Sequence, residues 1–316
     1  MREISEKIIR QVANLENIDP AYLEKDWYLV YALSLMQKAN TDKAQVVFSG
    51  GTSLSKGYGL ISRFSEDIDF MIYGAENFTN RNNRSNFKHN LIDKINEDKI
   101  ININPETLKS RDLNQFFKFY IDYPSFYNTP DAIRRGIKTE VSIKQTYLEP
   151  ITQEITTFIG KYIEDAPTAV IPCVSPVETA ANKFCGLMWR LDEDYKHFLE
   201  TGESNNKNLM RHLHDLSALY SIIMDNSNTF LPLIETIYQI DVKRGNKERN
   251  IELEDFIEQT YNILKNNKTY HQNYDNFVEK MYYTQDNIIS FETALSDFEK
   301  LCNFIIDQKQ ENRPTM

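Results

Sequence analysis

The sequence predicts an α+β protein, with a small mixed sheet and helices in its N-terminal part and a helical bundle in its C-terminal part. Three observations carry this. Short runs rich in β-branched and aromatic residues recur between residues 45 and 173, with the length and composition of strands. From residue 178 onward, apolar residues recur at helical spacing over long segments. Near residue 175 the composition shifts from mixed to all-α, which sets an expected division into residues 1–174 and 175–316. A length of 316 residues suits one large domain or two ordinary ones.

The elements follow in order. Ile4, Ile8, Ile9, Val12 and Leu15 mark a helix over residues 3–16. Asp19-Pro20 reads as an N-cap with proline at the first helical position, opening a second helix that runs to about Ala39. Gln45-Val46-Val47-Phe48 is a strand that stops at a glycine turn, Ser49-Gly50-Gly51. A short helix over 52–58, a turn over 61–65, a strand over 67–73 and a helix over 83–95 come next. Further strands are expected at 116–121, 136–143 and 169–173. Helices are expected at 178–190, 209–224, 230–240, 253–264, 274–283 and 291–306. No repeat or low-complexity tract is seen.

Composition narrows the function classes. Eighteen Tyr and 18 Phe argue against disorder. A net charge of −10 matches a duplex-wrapping protein poorly, although one basic face can sit on an acidic whole. Cys173, Cys185 and Cys302 form no C-x-x-C pair, which argues against a disulfide framework or a structural zinc site and suits a cytoplasmic protein with reduced thiols. The N-terminus lacks the apolar region of a signal peptide. The most apolar stretch, Trp27 to Met36, is too short to span a membrane, so no membrane partner is expected.

Ser65-Glu66-Asp67-Ile68-Asp69-Phe70 is the most informative stretch. On a strand, residues two apart share a face, so Asp67 and Asp69 project together while Ile68 and Phe70 face the core. Paired carboxylates repel unless a positive charge sits between them. Magnesium is the natural candidate, because it takes one or two carboxylates plus substrate phosphates. Upstream, Gly50-Gly51-Thr52-Ser53 joins a strand to a helix, where free amides attract anions and glycines allow close approach. Thr52 and Ser53 add hydroxyl donors. A turn for a triphosphate and a carboxylate pair for its metal together suit phosphoryl or nucleotidyl transfer. Either motif alone is commonly a plain turn or a solvated edge; their combination in this order is far more specific.

Phe48-Ser49-Gly50-Gly51-Thr52-Ser53-Leu54-Ser55-Lys56-Gly57-Tyr58, followed by Arg63-Phe64-Ser65-Glu66-Asp67-Ile68-Asp69-Phe70, resembles the AbiEii-type toxin family of polymerase-beta-like nucleotidyltransferases. Glu24-Lys25-Asp26-Trp27-Tyr28-Leu29 resembles the family's N-terminal helix signature. Ser175-Pro176-Val177-Glu178-Thr179-Ala180-Ala181-Asn182-Lys183 resembles a later motif with a functional lysine. Arg211-His212-Leu213-His214-Asp215-Leu216 resembles a last motif with a functional aspartate, in a setting where relatives often carry Tyr or Phe. The resemblance spans about residues 20–220. It implies a toxin of a type IV toxin–antitoxin or phage-defence (abortive infection) system. It also implies a nucleoside triphosphate substrate, an acceptor such as the 3′ end of tRNA, and an antitoxin that need not bind the toxin.

Other residues stay open between two roles. Lys183 alone reads as a solvated helix lysine; the resemblance makes it a phosphate contact. Asp215 reads as a surface aspartate, a general base for the acceptor hydroxyl, or a partner that positions Lys183. Glu140, on one face of its strand with Lys138 and Ser142, is either a third metal ligand or solvent-facing. Lys56 and Arg63 either contact phosphates or are solvated. His212 and His214, two apart on a helix, do not face each other as a zinc pair would. The basic run 243–249 and Tyr261, Tyr270, Tyr274, Tyr282 and Tyr283 are candidates for RNA contact, with a solvated loop and core packing the commoner roles. The sequence thus leads to a nucleotidyltransferase in which Lys183 and Asp215 complete the work of Asp67 and Asp69. The rivals are transfer to a protein or small molecule, and nucleotide binding without turnover.

Overall fold

Ser5 and Asp19 start the first two helices. Ser5 Oγ accepts a hydrogen bond from Ile8 N at the head of α1 (Glu6–Glu16), and Asp19 Oδ1 accepts one from Ala21 N, 2.8 Å away, at the head of α2 (Pro20–Met36). Side chains of this type satisfy amides that a helix start leaves unpaired. The computed structural model describes residues 3–41, 44–65, 67–78, 80–128, 135–206, 209–244, 251–282 and 288–311. It divides into two compact units, one of Met1–Gly59 with Arg63–Ser175 and one of Leu60–Ser62 with Pro176–Met316.

The first unit is built on a seven-stranded mixed sheet. Its strands are β1 (Gln45–Ser49), β2 (Ile68–Tyr73), β3 (Asn102–Arg111), β4 (Phe116–Asp122), β5 (Ile137–Ser142), β6 (Ile151–Thr156) and β7 (Thr168–Cys173), in the order β3-β4-β5-β2-β1-β7-β6. β2 runs antiparallel to β1 and parallel to β5. The two edge strands, β3 and β6, are absent from the expected elements. β3 carries Asn102, Asn104 and Pro105 and shifts register between Asn104 and Lys109; β6 is mostly exposed. An edge strand has one neighbour and tolerates proline and polar residues, so neither shows the apolar run that marks an interior strand.

Alternation along β4 and β5 divides the sheet into a buried and an open face. Phe117, Phe119, Ile121, Ile137, Thr139 and Val141 are buried; Lys118, Tyr120, Asp122, Lys138, Glu140 and Ser142 are not. α2 packs on β7 and α4 (Arg81–Asn96) on β3. α2 is buried almost all round, including Glu24, Lys25 and Asp26. Buried charges need partners, and two are explicit: Glu24 accepts from Ser125 Oγ and Phe126 N, and Asp26 accepts from Phe158 N.

The second unit is helical as described: α5 (Pro176–Thr201), α6 (Met210–Ala218), α7 (Tyr220–Asp225), α8 (Ser227–Arg244), α9 (Leu253–Asn266), α10 (Lys268–Met281) and α11 (Phe291–Glu311). α5 contacts α6, α8 and α9, and α11 packs on α6 and α9. Phe184, Phe230 and Phe298 meet in its core. α5 is longer than expected and α10 begins earlier, because their ends are polar. The segment expected as one helix over 209–224 breaks at Leu219, whose ψ is near 1°. Among the described residues, no helix is long and apolar enough to cross a membrane.

Candidate active site

β1 passes into α3 (Gly50–Lys56) with no intervening loop. That transition puts Gly50 at φ +76°, a region costly for residues with a Cβ. A Cβ on Gly50 would lie 2.4 Å from Asp69 Oδ2, and one on Gly51 would lie 2.6 Å from Arg63 Nη2. Both glycines are therefore present because an aspartate and an arginine press on the backbone at the start of α3. The two halves of the motif are also stitched together. Ser49 Oγ donates to Asp69 O (3.1 Å), and Thr52 Oγ1 donates to Asp67 O (2.5 Å) and bonds Ser65 Oγ (2.7 Å). Glu66 lies outside the described residues.

Both turn hydroxyls are buried. Thr52 and Ser53 are each 1% exposed. Thr52 is committed to Asp67 and Ser65, and Ser53 lies beside Cys173, whose thiol burial pushes up to about 11. Ser49 makes no side-chain cap on α3. Lys56 is not a solvated surface charge: it forms a largely buried ion pair with Asp26, donates to Thr156 O and lies over the Phe158 ring. Arg63 is brought to the motif, buried against Gly51, and donates to Phe64 O.

Asp69 opposes Ser49 on β1 and Glu140 on β5, and Glu140 opposes Lys118 on β4. Directly opposed residues share a face, so the row Ser49–Asp69–Glu140–Lys118 crosses the open side. Asp67, at the foot of β2, is 7% exposed. The positive charge beside these carboxylates comes from a residue that the sequence offered only as a face-mate of Glu140. Lys138 Nζ is 2.7 Å from Glu140 Oε1 and 3.7 Å from Asp67 Oδ2. Among the described residues, no group of three or more His, Cys, Asp or Glu side chains is gathered to hold a metal ion. Glu140, expected as a third ligand, stands opposite Asp69 on the same face, and its carboxylate is paired with Lys138. Period-two placement on β5 is the signal that could have singled out Lys138.

In the helical unit, Lys183 on α5 and Asp215 on α6 form a buried ion pair of 2.7 Å, with Asp215 fully buried. Neither is on the surface, and of the three roles open to Asp215, positioning Lys183 is visible. His214 continues the chain: its Nδ1 lies 3.3 Å from Asp215 Oδ1, and its Nε2 shares a hydrogen bond of 2.5 Å with Tyr282 OH. His212 Nε2 bonds Arg190 Nη1 instead. Burial first, then the charges of Lys183, Arg190 and Arg211, hold the His212 pKa well below its usual range. The tyrosines expected as base-stacking candidates are used internally. Tyr270 OH donates to Asp194 (3.0 Å), Tyr274 OH to Ile289 O (3.1 Å), and Tyr261 bonds Glu299. Tyr283 and residues 245–249 of the basic run lie outside the described residues.

MenT4, a nucleotidyltransferase toxin of Mycobacterium tuberculosis H37Rv, aligns with a TM-score of 0.62 at 15% identity, covering 96% of this chain and 90% of its own. A protein of H. pylori described as a candidate nucleotidyltransferase aligns at 16% identity with a TM-score of 0.45, covering 99% of this chain and 100% of its own. Among curated proteins, no sequence matches the chain. The fold is thus that of a nucleotidyltransferase toxin. The family profile described as "Nucleotidyl transferase AbiEii toxin, Type IV TA system" matches residues 34–297, and the chain belongs to that family. It is a nucleotidyltransferase of the toxin class.

Proposed function

We propose that this protein is a magnesium-dependent toxin that transfers a nucleoside monophosphate from a nucleoside triphosphate to a hydroxyl of an RNA acceptor, tRNA first among them, and thereby arrests bacterial growth or phage propagation. The observation that carries this reading is the placement of the Asp69 carboxylate against Gly50 at the start of α3, with Asp67 at the foot of the same strand and Arg63 against Gly51. Two carboxylates on one face beside free helix-start amides fit magnesium, which binds through one or two carboxylates plus substrate phosphates.

Asp67 and Asp69 are the ligands in this scheme. A bound magnesium ion supplies charge neutralisation to the phosphates. The amides of Gly50, Gly51, Thr52 and Ser53 orient the triphosphate, and Arg63 adds positive charge beneath them. Lys183, paired with Asp215, is the lysine of the family's later motif, and that resemblance is what assigns it a phosphate-contacting role. The acceptor oxygen bonds to the α-phosphorus, the bond to the β-phosphate bridging oxygen breaks, and pyrophosphate leaves. The cognate antitoxin implied by the family acts on this toxin without needing to bind it. Three free, buried cysteines support a cytoplasmic setting.

The test is incubation of purified protein with magnesium, total bacterial RNA and each α-labelled nucleoside triphosphate, with Asp69→Asn alongside. Label in a tRNA-sized band, lost in the variant, is the expected result. Label in protein or in a small molecule would replace the RNA acceptor, and binding without pyrophosphate release would leave a non-catalytic protein. Expression in bacteria should arrest growth with the native chain and not with Asp69→Asn.

A further inference from the structure

The open face of the sheet continues past the carboxylates. Asn104 on β3 opposes Tyr120 on β4, and Tyr120 opposes Lys138 on β5. This row therefore leads to Lys138 and, through its ammonium, to Asp67. At the β3–β4 end the face opens into a cavity of about 810 Å³. Its lining includes the rings of Tyr120, Tyr123 and Phe126, the carboxamides of Asn104 and Asn128, the guanidinium of Arg135 and the carboxylate of Asp122.

The wall is built rather than incidental. Glu24, 1% exposed, accepts from Phe126 N (2.7 Å) and Ser125 Oγ (2.5 Å), and so pins the segment after β4. Tyr123 stacks on buried Tyr28 with ring centroids 4.7 Å apart. This accounts for an acidic residue buried in α2, which the packing of α2 alone does not need.

Position on the sheet indicates the occupant. β1 and α3 lie on one side of β2, and β5, β4 and β3 lie on the other. In phosphoryl transfer the attacking and leaving oxygens stand roughly in line across the phosphorus. With a triphosphate at the start of α3, the attacking hydroxyl arrives from the β5 side. From β2 to β4 is two strand spacings, about 10 Å, so a group seated in the cavity would sit within a nucleotide of the reacting centre. Aromatic faces stack on unpaired bases, carboxamides pair with base edges, and a guanidinium pairs with phosphate.

We propose that this cavity seats an unpaired nucleotide of the acceptor RNA, at or next to its reacting end. The proposal rests on the nucleotidyl-transfer reading and deepens it by locating the acceptor. A chain of net charge −10 recognises RNA through such a local cluster rather than through overall attraction.

The double variant Phe126→Ala/Asn128→Ala tests it in the full chain, because Phe126 is pinned through its backbone and its side chain is 49% exposed. The expected result is a rise of about tenfold or more in KM for RNA, with KM for the triphosphate and the melting temperature unchanged. An unchanged KM for RNA overturns the proposal. A parallel measurement separates it from the transfer reading: binding of a fluorescent single-stranded RNA oligonucleotide to Asp69→Asn, with and without the double substitution. Binding weakened by the substitution supports the cavity even if no transfer is found. No RNA binding, or label transferred to protein and reduced by the double variant, overturns it.

Discussion

Gly50 shows how one missing atom organises the site. Its φ of +76° and the 2.4 Å approach to Asp69 Oδ2 both exclude a side chain. Gly50→Ala should therefore lose about 1–2 kcal/mol from backbone strain alone and also displace the Asp69 carboxylate. Gly59 is the control, with φ +65° and no atom within 4 Å of an added Cβ. Gly59→Ala should lower the melting temperature by a similar amount and keep nucleotidyl transfer, whereas Gly50→Ala should lose both. Equal activity in the two variants would sever Asp69 from the turn.

At the scale of elements, Lys183 and Asp215 join α5 to α6 by a buried ion pair. Lys183→Ala leaves a fully buried carboxylate without its lysine, which costs about 3–5 kcal/mol. The double variant Lys183→Met/Asp215→Leu should recover most of that stability in urea denaturation and show no transfer. Recovery of activity with stability would reduce the pair to packing. The same α6 carries His212, and its pKa sets a pH dependence. The folded state holds His212 neutral below its ordinary value of 6.5, while the unfolded chain takes up the proton. Stability contributed by neutral His212 is present above pH 6.5 and lost as pH falls toward the depressed folded value. Thermal melts should decline on acidification below about pH 6.5, and His212→Gln, which keeps an acceptor for Arg190, should flatten that decline.

For the whole molecule, the acidic balance makes a further prediction about RNA. Each neutralised phosphate of a single strand contributes about −0.7 to the slope of log affinity against log salt. A chain of net charge −10 that recognises RNA locally should show a slope no steeper than about −3, or about four phosphates. Fluorescence anisotropy between about 50 and 200 mM salt measures it, and a much steeper slope would require an extended basic track. The family match and the fold agree on a nucleotidyltransferase toxin, and both compact units carry residues of its motifs.

The sequence by itself determined the fold class, the interior strands and the shared face of Asp67 and Asp69, because period-two and helical spacing are local properties of the chain. It also placed Lys183 and Asp215 in motifs through resemblance. Tertiary structure alone decided the partners. Lys56 went to Asp26, Thr52 to Asp67 and Ser65, and Glu140 to Lys138, which moved from an unassigned face-mate to a neighbour of Asp67. The edge strands β3 and β6 needed their neighbours to be recognised as strands. The reason is physical: alternation reports which face a residue occupies, but the charge or hydroxyl opposite it comes from a strand or helix distant in sequence. Only the assembled sheet and the packed helices bring those groups within hydrogen-bonding distance.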